Sequence, residues 1–287
     1  MEFVVFLAVV AAAMLHAGWN SVLKLGMDRG TAVLLLTLVQ AGIALPMLPF
    51  AVQPDAAAWG WIAASAVLHC GYMIFLSQAY AHADLSLAYP LARGTAPLLV
   101  AGVSVAFLGA VFSDTQLVAI LAISTGILVM ALRGDKNGRA GGMALFYALG
   151  TSVFIASYTL VDGMGVRAAG ASSGYILWLT LFEGAGMVMW TVLRRALRPS
   201  RGPEPSILSA IRREWRKSVI AGAMSLAAYW ITVWAFLHAP IALVAALRES
   251  SIFFAVVIAA FALHEPVHRL RWISAAAIVL GVGLIRL

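Results

Sequence analysis

Charge is scarce in this sequence. Only 11% of its 287 residues are Asp, Glu, Lys or Arg, while 63% are hydrophobic. Soluble domains carry about a quarter charged residues, so a soluble globular fold is excluded. Cysteine is nearly absent as well: Cys70 stands alone inside an apolar stretch, which rules out a disulfide framework and a thiolate metal site. His, Asp and Glu show no ligand spacing, so neither a metal nor a cofactor is expected. The apolar stretches also lack the apolar–polar alternation of barrel strands. The first of them has no basic leader and no cleavage site, and reads as a mature helix rather than a signal peptide.

What is present is apolar sequence in lengths of about 20 residues, the length that spans a bilayer as a helix. Pro, Gly and charges divide the chain into ten spans: 3–23, 31–50, 59–80, 85–110, 115–132, 141–161, 173–193, 218–237, 240–262 and 270–286. The expected fold is all-α and polytopic. The narrowest link is His238-Ala239-Pro240, between the eighth and ninth spans.

The few positive charges fall to one side. Fifteen of the nineteen Lys and Arg lie in the links after odd-numbered spans, beginning with Lys24 and Arg29 and ending with Arg269 and Arg271; only Arg167 and Arg286 lie opposite. The positive-inside bias makes the odd links cytoplasmic and both termini non-cytoplasmic. The basic segment 193–218, with an amphipathic run from Ile207 to Trp215, suits contact with anionic lipid, so the net charge of +7 needs no nucleic acid.

The chain also repeats itself. Shifting it by 155 residues lays AHADLSLAYPLARGTAPLLVAGVSVAFLGAVF (81–112) on FLHAPIALVAALRESSIFFAVVIAAFALHEPV (236–267), placing Arg93 on Arg248 and Gly126 on Gly281. A nearby offset lays LTLVQAG (36–42) on LTLFEGAG (179–186), pairing Gln40 with Glu183. This divides the chain into a five-span repeat over 1–133 and another over 141–287. An odd number of spans per copy inserts the second copy upside down, an arrangement found in secondary transporters.

Three stretches carry a family resemblance: HAGWNSVLK (16–24), AYPLARGTAPLLVA (88–101) and ESSIFFAVVIAAFALHEPVHRLRWISAAAIVLGVGLI (249–285). With these the chain resembles the drug/metabolite transporter superfamily, specifically its ten-helix permeases built from two EamA-type repeats. The resemblance implies a multi-pass protein of a bacterial-type inner membrane, and an exporter of amino acids or other small metabolites. Small members of the superfamily couple protons through a glutamate in their first helix. This chain has none at mid-depth there, so that mechanism does not carry over.

Charges inside spans are the candidate site residues, because an arginine in hydrocarbon costs about 2.5–3.5 kcal/mol unless it finds partners or water. Arg93 and Arg248 enter the membrane from opposite faces and are read either as substrate groups flanking a central cavity or as structural charges. Pro90, Gly94 and Pro97 make the fourth span a candidate bent, cavity-lining hinge, whereas its repeat mate has Glu249, Ser250 and Ser251 and should stay unbroken. Glu183, central in the seventh span, is a candidate proton carrier or a structural hydrogen-bond partner, and Glu249 is a second candidate. His16, Asn20 and Lys24 share a face that Trp19 adjoins, and Trp19 and Asn20 are candidate substrate contacts. Tyr72, Tyr89, Tyr158 and Trp230 are candidate pocket aromatics, although such rings also serve as packing or interfacial anchors. His69 reads as a helix-contact histidine.

The expected activity is secondary transport by alternating access, without enzymatic chemistry. The cavity should lie between spans 1, 3, 4, 6, 8 and 9. Paired arginines suit a small organic anion or a zwitterion such as an amino acid. A cationic-compound exporter and an intramembrane lipid-processing enzyme are the alternatives.

Overall fold

A computed structural model describes residues 1–24, 29–82, 85–131, 141–197, 207–264 and 267–286. Arg133, Lys136, Arg139, Arg198, Arg201 and the Glu265-Pro266 pair lie outside the described residues, as does the link between the two expected repeats. The helices are α1 (Phe3–Lys24), α2 (Arg29–Met47), α3 (Trp59–His82), α4 (Leu85–Leu108), α5 (Asp114–Ala131) and α6 (Gly142–Ala169). They continue with α7 (Ser172–Leu197), α8 (Ile207–Ala235), α9 (Ile241–Arg248), α10 (Ser251–Val257) and α11 (Arg269–Arg286). Among the described residues, nine segments are long and apolar enough to cross a membrane, α9 and α10 together forming one of them. The protein is an all-α, multi-pass membrane protein.

Three buried threonines inside these apolar helices are satisfied locally. Thr151, Thr180 and Thr232 each donate to the carbonyl four residues earlier, at 2.7, 2.7 and 2.9 Å. A hydroxyl can therefore sit at membrane depth without an orphaned donor. Two helices end on glycines in the left-handed region, Gly109 after α4 and Gly170 after α6.

Packing sets a definite order. α3 lies along α6, α1 along α8, and α5 along α11; α2 touches both α7 and α8, and α4 touches α5, α6 and α9. The α5–α11 seam is close because both helices present glycine there. A β-carbon on Gly126 would stand 3.0 Å from the Ala277 methyl, and one on Gly281 would stand 2.9 Å from the Ala119 carbonyl oxygen. The links after α2, α6 and α8 gather at one end of the bundle. Asp55 N–H donates to the Ala169 carbonyl. Arg167 reaches from α6 to the carbonyls of Phe236 and Ala239, at 3.0 and 3.2 Å, satisfying groups freed where α8 stops.

Three boundaries differ from the sequence reading. The sixth span, expected to end at 161, continues as helix to Ala169 and carries Asp162 into the interior. The eighth, expected from 218, is preceded by further helix from Ile207, so the amphipathic run forms its first turns. There Glu214 bridges Arg213 and Lys217 at 3.1 and 3.2 Å.

The third difference concerns the hinge. α4 stays helical through both Pro90 and Pro97, while the break falls in its repeat mate, between Arg248 and Ser251. Glu249 N–H bonds to Ala246 O and Ser250 N–H to Leu247 O, three-residue closures that tighten the turn. A serine pair and a buried ion pair, described below, stand at the break. Beyond α10 the chain adds one π-helical turn over Ile258–Ala262.

Candidate functional site

A cavity of about 70 Å³ lies at the centre of the bundle, room for a handful of water molecules. Arg93 from α4, Arg248 from α9, His69 and Tyr72 from α3, Tyr158 from α6 and Tyr229 from α8 line it. Trp19 from α1 also faces it. Gln40 from α2 and Glu183 from α7 line it too, so these two helices, outside the expected set, also contribute walls.

The tight turn at the end of α9 aims two adjacent charges in different directions. Glu249 turns toward α4, where its Oε2 accepts from Arg93 Nε at 2.8 Å, with both side chains nearly fully buried. Tyr89 lies under the same guanidinium, its ring centre 5.9 Å from Cζ. Arg248 turns the other way. Its Nη2 reaches the Tyr158 hydroxyl at 3.4 Å, and its Cζ lies 6.0 Å from the ring centres of both Tyr158 and Tyr229. It has no carboxylate partner among the described residues, and its Nε is buried without a hydrogen bond. The two arginines are the mates expected from the sequence offset, yet among the described residues only Arg93 forms an ion pair.

Asp162 forms the second polar cluster. Its Oδ1 accepts from the Tyr175 hydroxyl at 2.9 Å, and its Oδ2 accepts from the Tyr229 hydroxyl and lies 3.3 Å from His69 Nε2. His69 Nε2 is also 3.1 Å from the Tyr229 oxygen, and its ring stacks on Tyr158 with centroids 4.1 Å apart. A fully buried carboxylate on α6 thus fixes two cavity side chains, one from α3 and one from α8. A buried carboxylate is stable only when paired or hydrogen-bonded in this way. His69, read from sequence as a helix-contact histidine, is both a helix contact and a cavity wall.

The sequence candidates divide accordingly. Arg93, Arg248, Trp19, Tyr72, Tyr158 and Glu183 meet at the cavity. Asn20 does not: its amide folds back onto the His16 carbonyl at 2.8 Å. Tyr89 sits behind Arg93, and Trp230 packs against the apolar core. Pro90 and Pro97 are not among the lining residues, and Gly94 packs against Leu128 of α5. Of the two acids, Glu249 is held by Arg93, whereas the Glu183 carboxylate faces the cavity with no hydrogen bond or ion pair among the described residues. The sequence reading missed Asp162 and Tyr229. The one signal available was an aspartate at the end of an apolar run, and loops supply that signal more often.

No family model matches the sequence, and no curated protein is similar to it. A comparison with solved structures finds a protein of known crystal structure with a TM-score of 0.70 and 17% identity, aligned over 98% of this chain and 94% of that one. At that identity the likeness concerns the fold alone: the whole helical architecture described above also occurs in an experimentally determined protein.

Proposed function

We propose that this protein is a secondary transporter that carries small organic anions or zwitterions, amino acids foremost, through the central cavity by alternating access. The observation that carries this reading is Arg248, a buried arginine with no ion pair of its own among the described residues, facing a cavity inside a membrane-spanning bundle. Ionisable groups at that depth belong to substrate or ion pathways far more often than to lipid-facing surface.

An inverted repeat over 1–133 and 141–287 supports it. Exchanging the halves turns the α3–α6 contact into the α8–α1 contact, and α3–α7 into α8–α2; the α2–α7 and α5–α11 contacts map onto themselves. Both mate pairs from the sequence, Arg93 with Arg248 and Gln40 with Glu183, line the same cavity. A break at Glu249-Ser250 within a membrane span is the kind of discontinuity that transporters place at their binding sites. The charge bias of the links orients the odd-numbered side to the cytoplasm, and the resemblance to exporters gives the outward direction. Glu183 is the acid left free for proton coupling.

The test is uptake of a labelled amino-acid panel into proteoliposomes, with and without an imposed proton gradient. Saturable uptake of at least one member is expected for the wild type, falling at least about ten-fold in Arg248→Ala, since a charge-assisted contact is worth roughly 1.5–3 kcal/mol. Uptake equal in protein-free and protein-containing vesicles would contradict the proposal.

A further inference from the structure

The cavity's ionic groups do not all cancel locally. Arg93 has Glu249, and Asp162 accepts from the Tyr175 and Tyr229 hydroxyls and lies against His69. Two groups remain, and their charges are opposite. Arg248 is 4% exposed, its Nε has no partner, and its other contacts are one long hydrogen bond to Tyr158 and two ring faces. Glu183 faces the same cavity from α7, its carboxylate with no hydrogen bond or ion pair among the described residues. Isolated charges at membrane depth are costly, and the cost is removed when each meets an opposite charge.

We infer that the cavity is a two-subsite receptor for a zwitterion, with the substrate carboxylate on Arg248 and its ammonium on Glu183. A simple anion satisfies Arg248 and leaves Glu183 uncompensated. A simple cation does the reverse. A zwitterion neutralises both, and brings no net charge into the bilayer interior. The guanidinium carries further N–H donors beside the one given to Tyr158, so it can donate to a carboxylate, and the Glu183 oxygens accept from an ammonium. The stacked His69–Tyr158 pair and Tyr229 give the substrate's carbon skeleton an aromatic wall. In this arrangement Arg93 belongs to the scaffold, and selectivity resides in Glu183 and Arg248. The inference rests on the transport reading above and narrows its substrate class.

Two matched sets of ligands test it by the melting shift of the purified protein in detergent. One is L-alanine, propionate and L-alaninamide; the other is L-leucine, 4-methylpentanoate and L-leucinamide. Within each set the wild type should bind the amino acid at least about ten-fold more tightly than the compound lacking the ammonium or the carboxylate. Glu183→Gln should abolish the preference over the ammonium-free acid while keeping the preference over the amide. Arg248→Gln should do the opposite. Glu183→Gln removes no side-chain hydrogen bond or ion pair among the described residues, so that variant decides the question even where Arg248→Gln fails to fold. Binding of amino acids with no preference over the truncated compounds, or an equal loss for every ligand in Glu183→Gln, overturns the inference and leaves the transport reading standing. Binding of none of the six by the wild type overturns both.

Discussion

Glu249→Ala should cost about 3–5 kcal/mol of stability, the largest effect expected of any single substitution in this protein. The substitution leaves Arg93 at 2% exposure with no ion-pair partner among the described residues, and one of its terminal nitrogens already lacks a hydrogen bond. Removing one member of a buried pair forfeits the Coulomb attraction while the desolvation cost of the other persists. Removing both avoids that cost. Glu249→Leu should be similarly damaging, and combining it with Arg93→Met should recover most of the loss of either single variant, giving a coupling energy of several kcal/mol in the double-mutant cycle of Arg93→Met and Glu249→Leu. Unfolding by denaturing detergent, followed by circular dichroism, measures all four corners of the cycle. Additive single effects would mean that the 2.8 Å contact contributes little.

Asp162→Leu should be nearly as damaging, for a different reason. The lost carboxylate is the acceptor for the Tyr175 and Tyr229 hydroxyls and pairs with His69. Each buried donor left without an acceptor costs about 1–3 kcal/mol, so the total should exceed roughly 3 kcal/mol. Tyr175→Phe removes one donor that does not itself line the cavity and should cost about 1 kcal/mol. The two substitutions should also separate in function. Tyr229 and His69 line the cavity, so releasing them in Asp162→Leu should reduce substrate affinity as well as stability. Tyr175 does not line it, and Tyr175→Phe should leave affinity near the wild-type value. Melting temperature and the ligand-induced melting shift, measured on the same samples, separate the two effects. Equal behaviour of the two variants in both measurements would remove Asp162 from its role in positioning the cavity wall.

These two clusters also show where reading the sequence succeeds and where it stops. The spans were legible because bilayer thickness imposes a length that any apolar run of about 20 residues reveals. Arg93, Arg248 and Glu183 stood out for the same reason: a charge in such a run is costly and needs an explanation. The partners were not legible. Asp162 draws its donors from positions 93, 13 and 67 residues away, and nothing local marks Asp162-Gly163 as helix interior rather than loop. The Arg93–Glu249 pair spans 156 residues. Proline is a strong local signal, yet membrane helices tolerate it, and α4 continues as helix through Pro90 and Pro97. The break at Glu249-Ser250 depends on tertiary contacts that no local pattern encodes.

Alternating access places one cavity in contact with each side of the membrane in turn. The single native cysteine makes that directly measurable. With Cys70→Ser as background, Ser225→Cys puts one thiol on the cavity wall contributed by α8. A membrane-impermeant maleimide is then applied from either side of sealed vesicles, with and without the best-bound amino acid. Labelling from both sides, suppressed from both by the amino acid, is the expected result. Labelling from one side only, or from neither side while the denatured protein reacts fully, would show that the cavity does not connect the two faces of the membrane.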